Sequence, residues 1–515
     1  MIPLNIPDLS GLLDHFLAEV VLCLAIPVIL VVDLIARKGN REKTAGTLAL
    51  FALLSAFILA CVQSTGESIV VTKLLRADGL AKAFRIIALG AGCVAAWFAV
   101  RGGDLRGRGH AEFYVLLIGA VAGACLTAAA NDMAMLYLSI ETLSICGYLL
   151  AGYKRNDSLS AEAAMKYVIF GAVASGMMLY GFSLLYGFGG TSVLTTVPGS
   201  GIGRSLEAAA LTRAGEPAFL IATVMVFAGL AYKVAAFPFQ FWCPDVYQGA
   251  PTSVAAFLAV ASKGAGFAAL LRVVSAATAG GAANTEMILS ANETLKIVLV
   301  VMALITMTLG NVAALRQTNA KRLLAYSSIA HAGYLLLGVA VCTDAAAAAI
   351  VFYMFVYLFM TLTAFFTVSM VERETGRVDI DAFEGLGFRS PLFAGCLLVS
   401  LLALTGLPPT GGFVGKFFLF KEVFALSGSG SANGMFFFWA GVIGLLNSVI
   451  SLAYYMRFVK VMYLGKRTDG PGLALAPVDT GILVGLTIPV LLLGFAGFVI
   501  TPLYEVAQRL AEGIF

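Results

Sequence analysis

The chain has 515 residues, of which 60% are hydrophobic and only 12% are charged, and its formal net charge is +4. This composition is typical of an integral membrane protein and excludes a water-soluble globular domain. The 33 lysines and arginines are spread along the chain, so they offer no basic stripe to a nucleic-acid partner. We therefore expect the lipid bilayer, and not nucleic acid, to surround most of the chain.

The first apolar segment, residues 13–36, is predicted to be a transmembrane helix. Residues 1–12 lack the basic region of a signal peptide, and the segment is long enough to span a bilayer. Similar segments of about 20 residues recur along the chain and predict about fourteen spans in one all-α membrane domain. They lie at 13–36, 45–66, 80–100, 112–130, 132–152, 163–188, 216–241, 250–274, 295–315, 320–342, 346–371, 390–425, 434–464 and 478–505.

The distribution of positive charge supports an even number of spans with both termini on the outer side. Alternate connections are rich in lysine and arginine, as expected for cytoplasmic loops. These residues are Arg37, Lys38, Arg41, Lys43, Arg101, Arg106, Arg108, Lys154, Arg155, Arg316, Lys321, Arg322, Arg373, Arg377, Arg389, Arg457, Lys460, Lys466 and Arg467. The opposite connections hold few, and the exception is residues 67–85 with Lys73, Arg76, Lys82 and Arg85. The longest connections, near 189–215 and 275–294, are too short for a soluble domain.

Two predicted spans carry helix-breaking residues at comparable places in the two halves of the chain. Pro238 and Pro244 follow Lys233, whereas the segment PPTGG at 408–412 precedes Lys416. Proline removes a backbone donor and clashes with the preceding turn, so each span should be interrupted inside the protein. Paired broken helices indicate an inverted repeat of the transporter kind.

Cysteine and histidine give no sign of a redox centre. None of the eight cysteines forms a CxxC pair, which argues against a disulfide framework and against iron–sulfur or zinc ligation. The three histidines, His15, His110 and His331, are too far apart in sequence to suggest a haem-ligating pair. We therefore expect neither a metal site nor a bound cofactor in this chain.

Four charged residues lie well inside predicted spans: Glu141, Lys233, Lys263 and Lys416. A charge in hydrocarbon costs about 2.5–3.5 kcal/mol, so such residues are usually functional or paired. Each residue taken alone also has a structural interpretation. Glu141 could be a paired acid that holds helices together, and a single lysine could extend its side chain to the membrane–water interface. Lys233 and Lys263 lie farther from polar loops, and burial beside a like charge weakens the hold of a lysine on its proton. Lysines in such surroundings can pass protons.

His331 lies in the sequence SSIAHAGYLL of the tenth predicted span. In an arbitrary helix, a core histidine with satisfied hydrogen bonds is the simpler interpretation. Here the neighbouring hydroxyl groups of Tyr326, Ser327, Ser328 and Tyr334 can continue a hydrogen-bonded path. Imidazole titrates near neutrality in water, which suits a proton relay.

Three stretches together resemble the antiporter-like proton-translocating subunits of respiratory complex I. They are residues 137–187, which include EAAMKY, residues 232–273, which include FPFQFWCPDVYQGAP, and residues 310–338, which include KRLLAYSS. The resemblance extends over nearly the whole chain. It implies two inverted five-helix repeats with broken helices 7 and 12: residues 1–110 form three N-terminal helices, 111–275 the first repeat, 295–465 the second, and 478–505 the last helix.

The resemblance also implies roles for the buried residues. Glu141 corresponds to the glutamate of the fifth helix, Lys233 to the lysine of broken helix 7 that pairs with it, and Lys263 to the central lysine of the eighth helix. His331 belongs to the polar axis, and Lys416 is the lysine of broken helix 12. A change in the Glu141–Lys233 pairing would send a proton through Lys263 and His331 to Lys416.

By the same resemblance, the chain is a non-redox subunit of an NADH:quinone oxidoreductase in a bacterial cytoplasmic membrane. NAD, FMN, iron–sulfur clusters and quinone are then expected in other subunits of the complex. The implied partners are the antiporter-like M and L homologues and the small K, J, A and H homologues. Three alternatives stay open: an Mrp-type cation/proton antiporter or a subunit of a ferredoxin-linked complex, a quinone-reducing subunit, and a structural scaffold.

Overall fold

A computed structural model of the chain describes residues 9–36, 41–63, 69–71, 73–102, 110–194, 217–278, 286–428, 433–465 and 476–515. Most of the basic loop at 101–110, most of the long connection near 189–215, and residues 279–285 of the connection near 275–294 lie outside these residues. The predictions about those loops therefore stay predictions.

The described residues form helices and one short hairpin. The helices are α1 Leu9–Ile35, α2 Arg41–Val62, α3 Gly79–Gly102, α4 His110–Ala129, α5 Met133–Ala151, α6 Ser158–Gly189, α7 Pro217–Val234, α8 Trp242–Gly249, α9 Thr252–Thr278, α10 Glu286–Ala314, α11 Ala320–Val339, α12 Asp344–Thr375, α13 Leu386–Arg389, α14 Pro391–Thr405, α15 Gly411–Gly428, α16 Gly434–Leu464, α17 Pro477–Phe495 and α18 Gly497–Ala511. Strands β1 Ile69–Val71 and β2 Leu75–Ala77 pair antiparallel, with Val70 opposite Arg76, and a 3₁₀ turn covers Ile380–Phe383.

The all-α membrane fold predicted from the apolar segments is confirmed. Among the described residues, 11 helices are long and apolar enough to cross a bilayer, and two shorter apolar helices are Ile221–Val234 and Pro391–Thr405. Helix α9 is enclosed on all sides and α12 is mostly buried, while α1 and α16 expose much of their surface. A helix that is apolar on every face needs such a protein or lipid environment. The count of about fourteen spans remains a prediction.

Both predicted helix breaks are present. Helix α7 ends at Val234, where Ala235 has φ 58°, and the chain becomes helical again only at Trp242. Helix α14 ends at Thr405, followed by Gly406 at φ 87°, and α15 begins at Gly411. The broken segments therefore expose backbone groups within the protein, beside Lys233 and Lys416.

The prediction of one continuous span over 478–505 is wrong. Helix α17 ends at Phe495, because Ala496 (φ −98°, ψ 87°) leaves the helical region and Gly497 follows it. Glycine has a low helix propensity, which favours a break at this place. Helix α18 has 15 residues, carries the polar residues Glu505, Gln508 and Arg509, and is not among the helices that are long and apolar enough to cross a membrane.

Two of the four basic residues of segment 67–85, which depart from the charge alternation, form ion pairs. Arg85 forms a buried ion pair with Glu19 at 2.6 Å, and Arg76 lies 3.1 Å from Asp78. Asp78 also pairs with Arg272 at 2.8 Å. Burial alone would raise the pKa of the Asp78 carboxyl, but Arg272 and Arg76 hold it below its ordinary value. Ion pairing thus offsets the positive charges of Arg76 and Arg85.

Candidate functional site

Glu141 lies in the middle of α5 and is only partly buried. The helix starts at Met133 because the Asp132 carboxylate caps it, accepting a hydrogen bond from the backbone N–H of Ala134 at 2.8 Å. The Oε1 atom of Glu141 accepts a hydrogen bond from the Ser175 hydroxyl of α6. The acid therefore lies at the junction of two neighbouring helices.

Lys233 is the penultimate residue of α7, directly before the helix break, and its side chain is 3% exposed. Its ammonium donates a hydrogen bond to Ser144 Oγ of α5 at 2.9 Å. The stem of the lysine packs against α9, where a Cβ built on Gly266 would lie 3.2 Å from Lys233 Cγ. Only a residue without a side chain fits comfortably there, so the glycine lets α9 approach the lysine.

Glu141 and Lys233 do not form an ion pair, although the resemblance implies that they pair. Each is hydrogen-bonded to a different serine, Glu141 to Ser175 and Lys233 to Ser144, which follows Glu141 by three residues on the same helix. The expectation of a direct contact is therefore not met in this conformation, because two neutral hydroxyl groups take the place of the opposite charges.

Lys263 follows a π-helical turn, Leu258–Ser262, in the centre of the buried helix α9. Such turns occur often at functional sites. The side chain is 2% exposed, and its ammonium donates hydrogen bonds to both the carbonyl oxygen and the hydroxyl oxygen of Ser328 in α11. Tyr357 of α12 donates to the same hydroxyl oxygen at 3.0 Å. No carboxylate lies in contact with this lysine within the described part of the chain.

His331 is buried one turn beyond Ser328 in α11. Its Nδ1 atom is hydrogen-bonded to the Tyr353 hydroxyl of α12 at 2.5 Å. The imidazole also packs beside Tyr357, with a distance of 5.3 Å between the ring centroids, and beside Tyr334 at 5.8 Å. The histidine is thus surrounded by aromatic hydroxyl-bearing side chains.

Lys416 of α15 is 5% exposed and lies at the second helix break. Its ammonium donates to the carbonyl oxygens of Thr405 at 2.8 Å and Leu404 at 3.2 Å, at the carboxyl end of α14. Carbonyl groups at this end of a helix carry partial negative charge and attract a cation. The same ammonium lies 4.6 Å from the centre of the Tyr334 ring.

One face of α11 connects these groups. Ser328, His331 and Tyr334 are spaced three residues apart, so their side chains lie along the same side of the helix. Ser328 contacts Lys263, and Tyr334 contacts Lys416. The predicted residues Lys263, His331 and Lys416 are therefore brought together along α11, whereas Lys233 is hydrogen-bonded to α5 and Glu141 to α6.

The sequence prediction missed a polar cluster behind Tyr334. Asn311 of α10 donates from Nδ2 to the Tyr334 hydroxyl and to Asn447 Oδ1, both at 3.1 Å, and accepts from the Tyr454 hydroxyl at 3.1 Å. Both asparagines are buried. An uncharged amide within an apolar span was the available signal, and it identifies a buried polar group that needs partners.

A second missed network joins the three motifs that carry the resemblance. Asp245, from FPFQFWCPDVYQGAP, lies 2.5 Å from the ammonium of Lys166, from EAAMKY, and also pairs with Arg322, from KRLLAYSS. Burial alone would raise the pKa of Asp245, but its hydrogen bonds with Lys166 and Arg322 lower it. These ion pairs fix α8, the short helix that follows the first break, to α6 and α11.

A related cluster lies nearby, around Glu372 at the end of α12. The carboxylate lies 3.4 Å from the ammonium of Lys321 and 3.5 Å from that of Lys154, and it accepts a hydrogen bond from the Thr252 hydroxyl. Within the described ranges, no three histidine, cysteine, aspartate or glutamate side chains gather as a metal ion would require.

Comparison with known proteins gives one family. The sequence profile described as NADH:quinone oxidoreductase/Mrp antiporter, TM, matches residues 130–444, more than half of the chain. The chain is 40% identical over 468 residues to the NADH-quinone oxidoreductase subunit N of Anaeromyxobacter sp. (strain Fw109-5), covering 90% of this chain and 89% of the relative.

Solved structures show the same architecture. A chain of respiratory complex I from Thermus thermophilus is 30% identical and superposes with a TM-score of 0.75, covering 94% of this chain and 98% of that chain. A chain of the Mrp complex from Dietzia sp. DQ12-45-1b superposes with a TM-score of 0.76 at 18% identity, covering 97% and 98%. At this lower identity the likeness shows only that the fold is shared.

Proposed function

Since the chain belongs to the family of membrane subunits described as NADH:quinone oxidoreductase/Mrp antiporter, TM, we propose that it translocates protons in the membrane arm of an NADH:quinone oxidoreductase. The observation that carries this proposal is the alignment of buried ionisable groups inside one membrane protein. Lys233, Lys263, His331 and Lys416 are all at most 5% exposed, and none of the four forms an ion pair among the described residues. Buried charges with a purely structural role are usually paired with an opposite charge, so four buried ionisable side chains without such a partner favour a functional role.

The proposed path starts at Glu141 and Lys233. Redox energy released elsewhere in the complex changes the distance between these two side chains, which changes how tightly Lys233 holds its proton. The proton then moves to Lys263, which contacts Ser328, and along the α11 face past His331 to Lys416. Water molecules carry the proton between side chains that are not in contact. From Lys416, at the second helix break, the proton leaves the subunit.

The energies involved are of the required size. Moving one charge against 100 mV costs about 2.3 kcal/mol. A hydrogen bond to a charged group contributes about 1.5–3 kcal/mol. Exchanging one or two partners of a buried lysine can therefore drive or block a proton step against the membrane potential.

The remaining parts of the proposal concern the assembly. The subunit lies in a bacterial cytoplasmic membrane with both termini outside, beside M, L, K, J, A and H homologues, and the redox cofactors are held by other subunits. Residues 111–275 and 295–465 are the two inverted repeats. The 40% identity to a subunit N over 90% of the chain supports this assembly over an Mrp-type antiporter.

The experiment is the substitution Lys233→Ala in the intact membrane complex, with proton pumping, quinone-coupled electron transfer and assembly measured together. Lys421→Ala is the matched control, because Lys421 has a side chain that is 57% exposed. We expect normal assembly and a parallel loss of pumping and coupled turnover for Lys233→Ala alone. Normal pumping in an assembled Lys233→Ala complex would contradict the proposal.

A further inference from the structure

We propose that Ser144 and Ser175 are positioning residues that hold Lys233 and Glu141 apart, so that the two serine hydrogen bonds compete with the direct ion pair. This inference rests on the proposed function, because it assigns a task to the contacts of two residues at the start of the proton path. It is carried by the two hydrogen bonds and by the lack of a direct contact between the charges.

Ser144 is arranged to accept from the lysine and not to relay a proton. Its hydroxyl group donates to the backbone carbonyl of Ile140 at 2.7 Å, one turn earlier in the same helix. The hydroxyl proton is therefore engaged, and a free lone pair of Oγ accepts from the Lys233 ammonium at 2.9 Å. The serine is 1% exposed, so no bulk water competes for this bond.

Ser175 has the complementary arrangement on α6. Its hydroxyl donates to the Glu141 carboxylate, and the serine is 7% exposed. A donor at this place stabilises the charged carboxylate without a cation. Ser144 thus accepts a hydrogen bond from Lys233, and Ser175 donates one to Glu141.

The two hydrogen bonds stabilise a separated state, in which Glu141 and Lys233 are apart, relative to a paired state, in which they form an ion pair. Ser144 follows Glu141 by three residues on α5, so the lysine that contacts Ser144 lies on the same side of the helix as the acid. A displacement of α6 or of the end of α7 that brings the two charges into contact would exchange these hydroxyl partners for the ion pair. Removing either hydroxyl group removes a hydrogen bond that stabilises the separated state, and so favours the paired state.

The test compares Ser144→Ala and Ser175→Ala with three other variants in the intact complex. Ser144→Thr retains a hydroxyl group at the same place. Ser139→Ala is the matched control, because Ser139 lies on the same helix, is 1% exposed and bonds only to the carbonyl of Leu136 at 3.0 Å. Lys233→Ala reports on the proposed function itself.

We expect coupled pumping to fall about tenfold in Ser144→Ala and Ser175→Ala, as the loss of a hydrogen bond to a charged group predicts. Ser144→Thr and Ser139→Ala should pump normally. Redox-difference infrared spectra should show the carboxylate band of Glu141, assigned with Glu141→Gln, shifted in both alanine variants but not in Ser139→Ala. A merely structural serine would not move this band.

The outcomes separate the two proposals. If Lys233→Ala pumps normally, the proposed function fails. If Lys233→Ala is inactive but both serine-to-alanine variants pump normally with an unshifted carboxylate band, only the role of the serines is wrong. A defect in Ser144→Thr equal to that in Ser144→Ala would also overturn it, because the hydroxyl group would then not be the determinant.

Discussion

The ammonium of Lys416 lies 4.6 Å from the centre of the Tyr334 ring. An aromatic face attracts a cation by about 0.5–2 kcal/mol without carrying a charge of its own. Together with the carbonyl oxygens of Leu404 and Thr405, the ring therefore holds the lysine at the helix break with no acid in contact. A lysine held in this way can lose its proton without leaving a buried carboxylate unpaired.

The ring of Tyr334, more than its hydroxyl, should matter for proton transfer. We expect Tyr334→Leu to reduce pumping by about threefold to tenfold, because the cation–π contact is lost. Tyr334→Phe keeps the ring and loses the hydroxyl group with its hydrogen bond to Asn311, so its pumping should stay within about twofold of the wild type. Proton uptake by membrane vesicles measures both. Equal defects in the two variants would show that the hydroxyl network is the determinant.

The Ser328 hydroxyl should support the central lysine. In Ser328→Ala, the Lys263 ammonium keeps the backbone carbonyl but loses the hydroxyl oxygen, and Tyr357 loses its acceptor. We expect pumping to fall about fivefold, since a buried donor is left unsatisfied. The neighbouring Ser327→Ala is the control, because that hydroxyl bonds to Tyr455. A larger defect in Ser327→Ala would contradict the proposed path.

The second helix break should tolerate no side chain at Gly412. A Cβ built there would lie 1.8 Å from the carbonyl oxygen of Ala403, which is backbone and cannot move away easily. We expect Gly412→Ala to destabilise the subunit by about 3 kcal/mol or more and to reduce the amount of assembled complex, measured on native gels. Gly395→Ala, where a Cβ meets nothing within 4 Å, should assemble normally.

Asp245 should contribute stability only in its charged form. Its pKa is lowered in the folded protein, so the contribution is complete above the unfolded-state pKa of about 3.9 and is lost as the pH falls through the folded value. Asp245→Asn should cost about 1 kcal/mol at neutral pH, a modest value because the pair is partly exposed.

The pH dependence of this loss provides the check. The difference in melting temperature between wild type and Asp245→Asn should stay constant from pH 8 to about pH 5 and narrow only below about pH 4. The exposed Asp379→Asn variant, whose side chain is 48% exposed, should show little difference at any pH. A difference that already disappears between pH 8 and pH 6 would assign the effect to another group.

Much of this architecture followed from the sequence alone. Three features can be read from short stretches of a single sequence. They are the apolar segments of spanning length, the helix-breaking residues after Lys233 and before Lys416, and the charges inside spans. The resemblance to antiporter-like complex I subunits, which came from the motifs, is confirmed by the match over residues 130–444 and by the relatives. The break at Ala496 was missed because an apolar segment continues through it.

The sequence by itself determined the membrane class, the broken helices and the identity of the buried ionisable residues, because hydrophobicity and backbone chemistry are local properties. Only the tertiary structure decided which groups meet. It placed Lys233 against Ser144 instead of Glu141, aligned Ser328, His331 and Tyr334 between two lysines, and brought Lys166, Asp245 and Arg322 together from three motifs. Contacts between distant segments depend on how whole helices pack, and a single sequence contains no local signal for that packing.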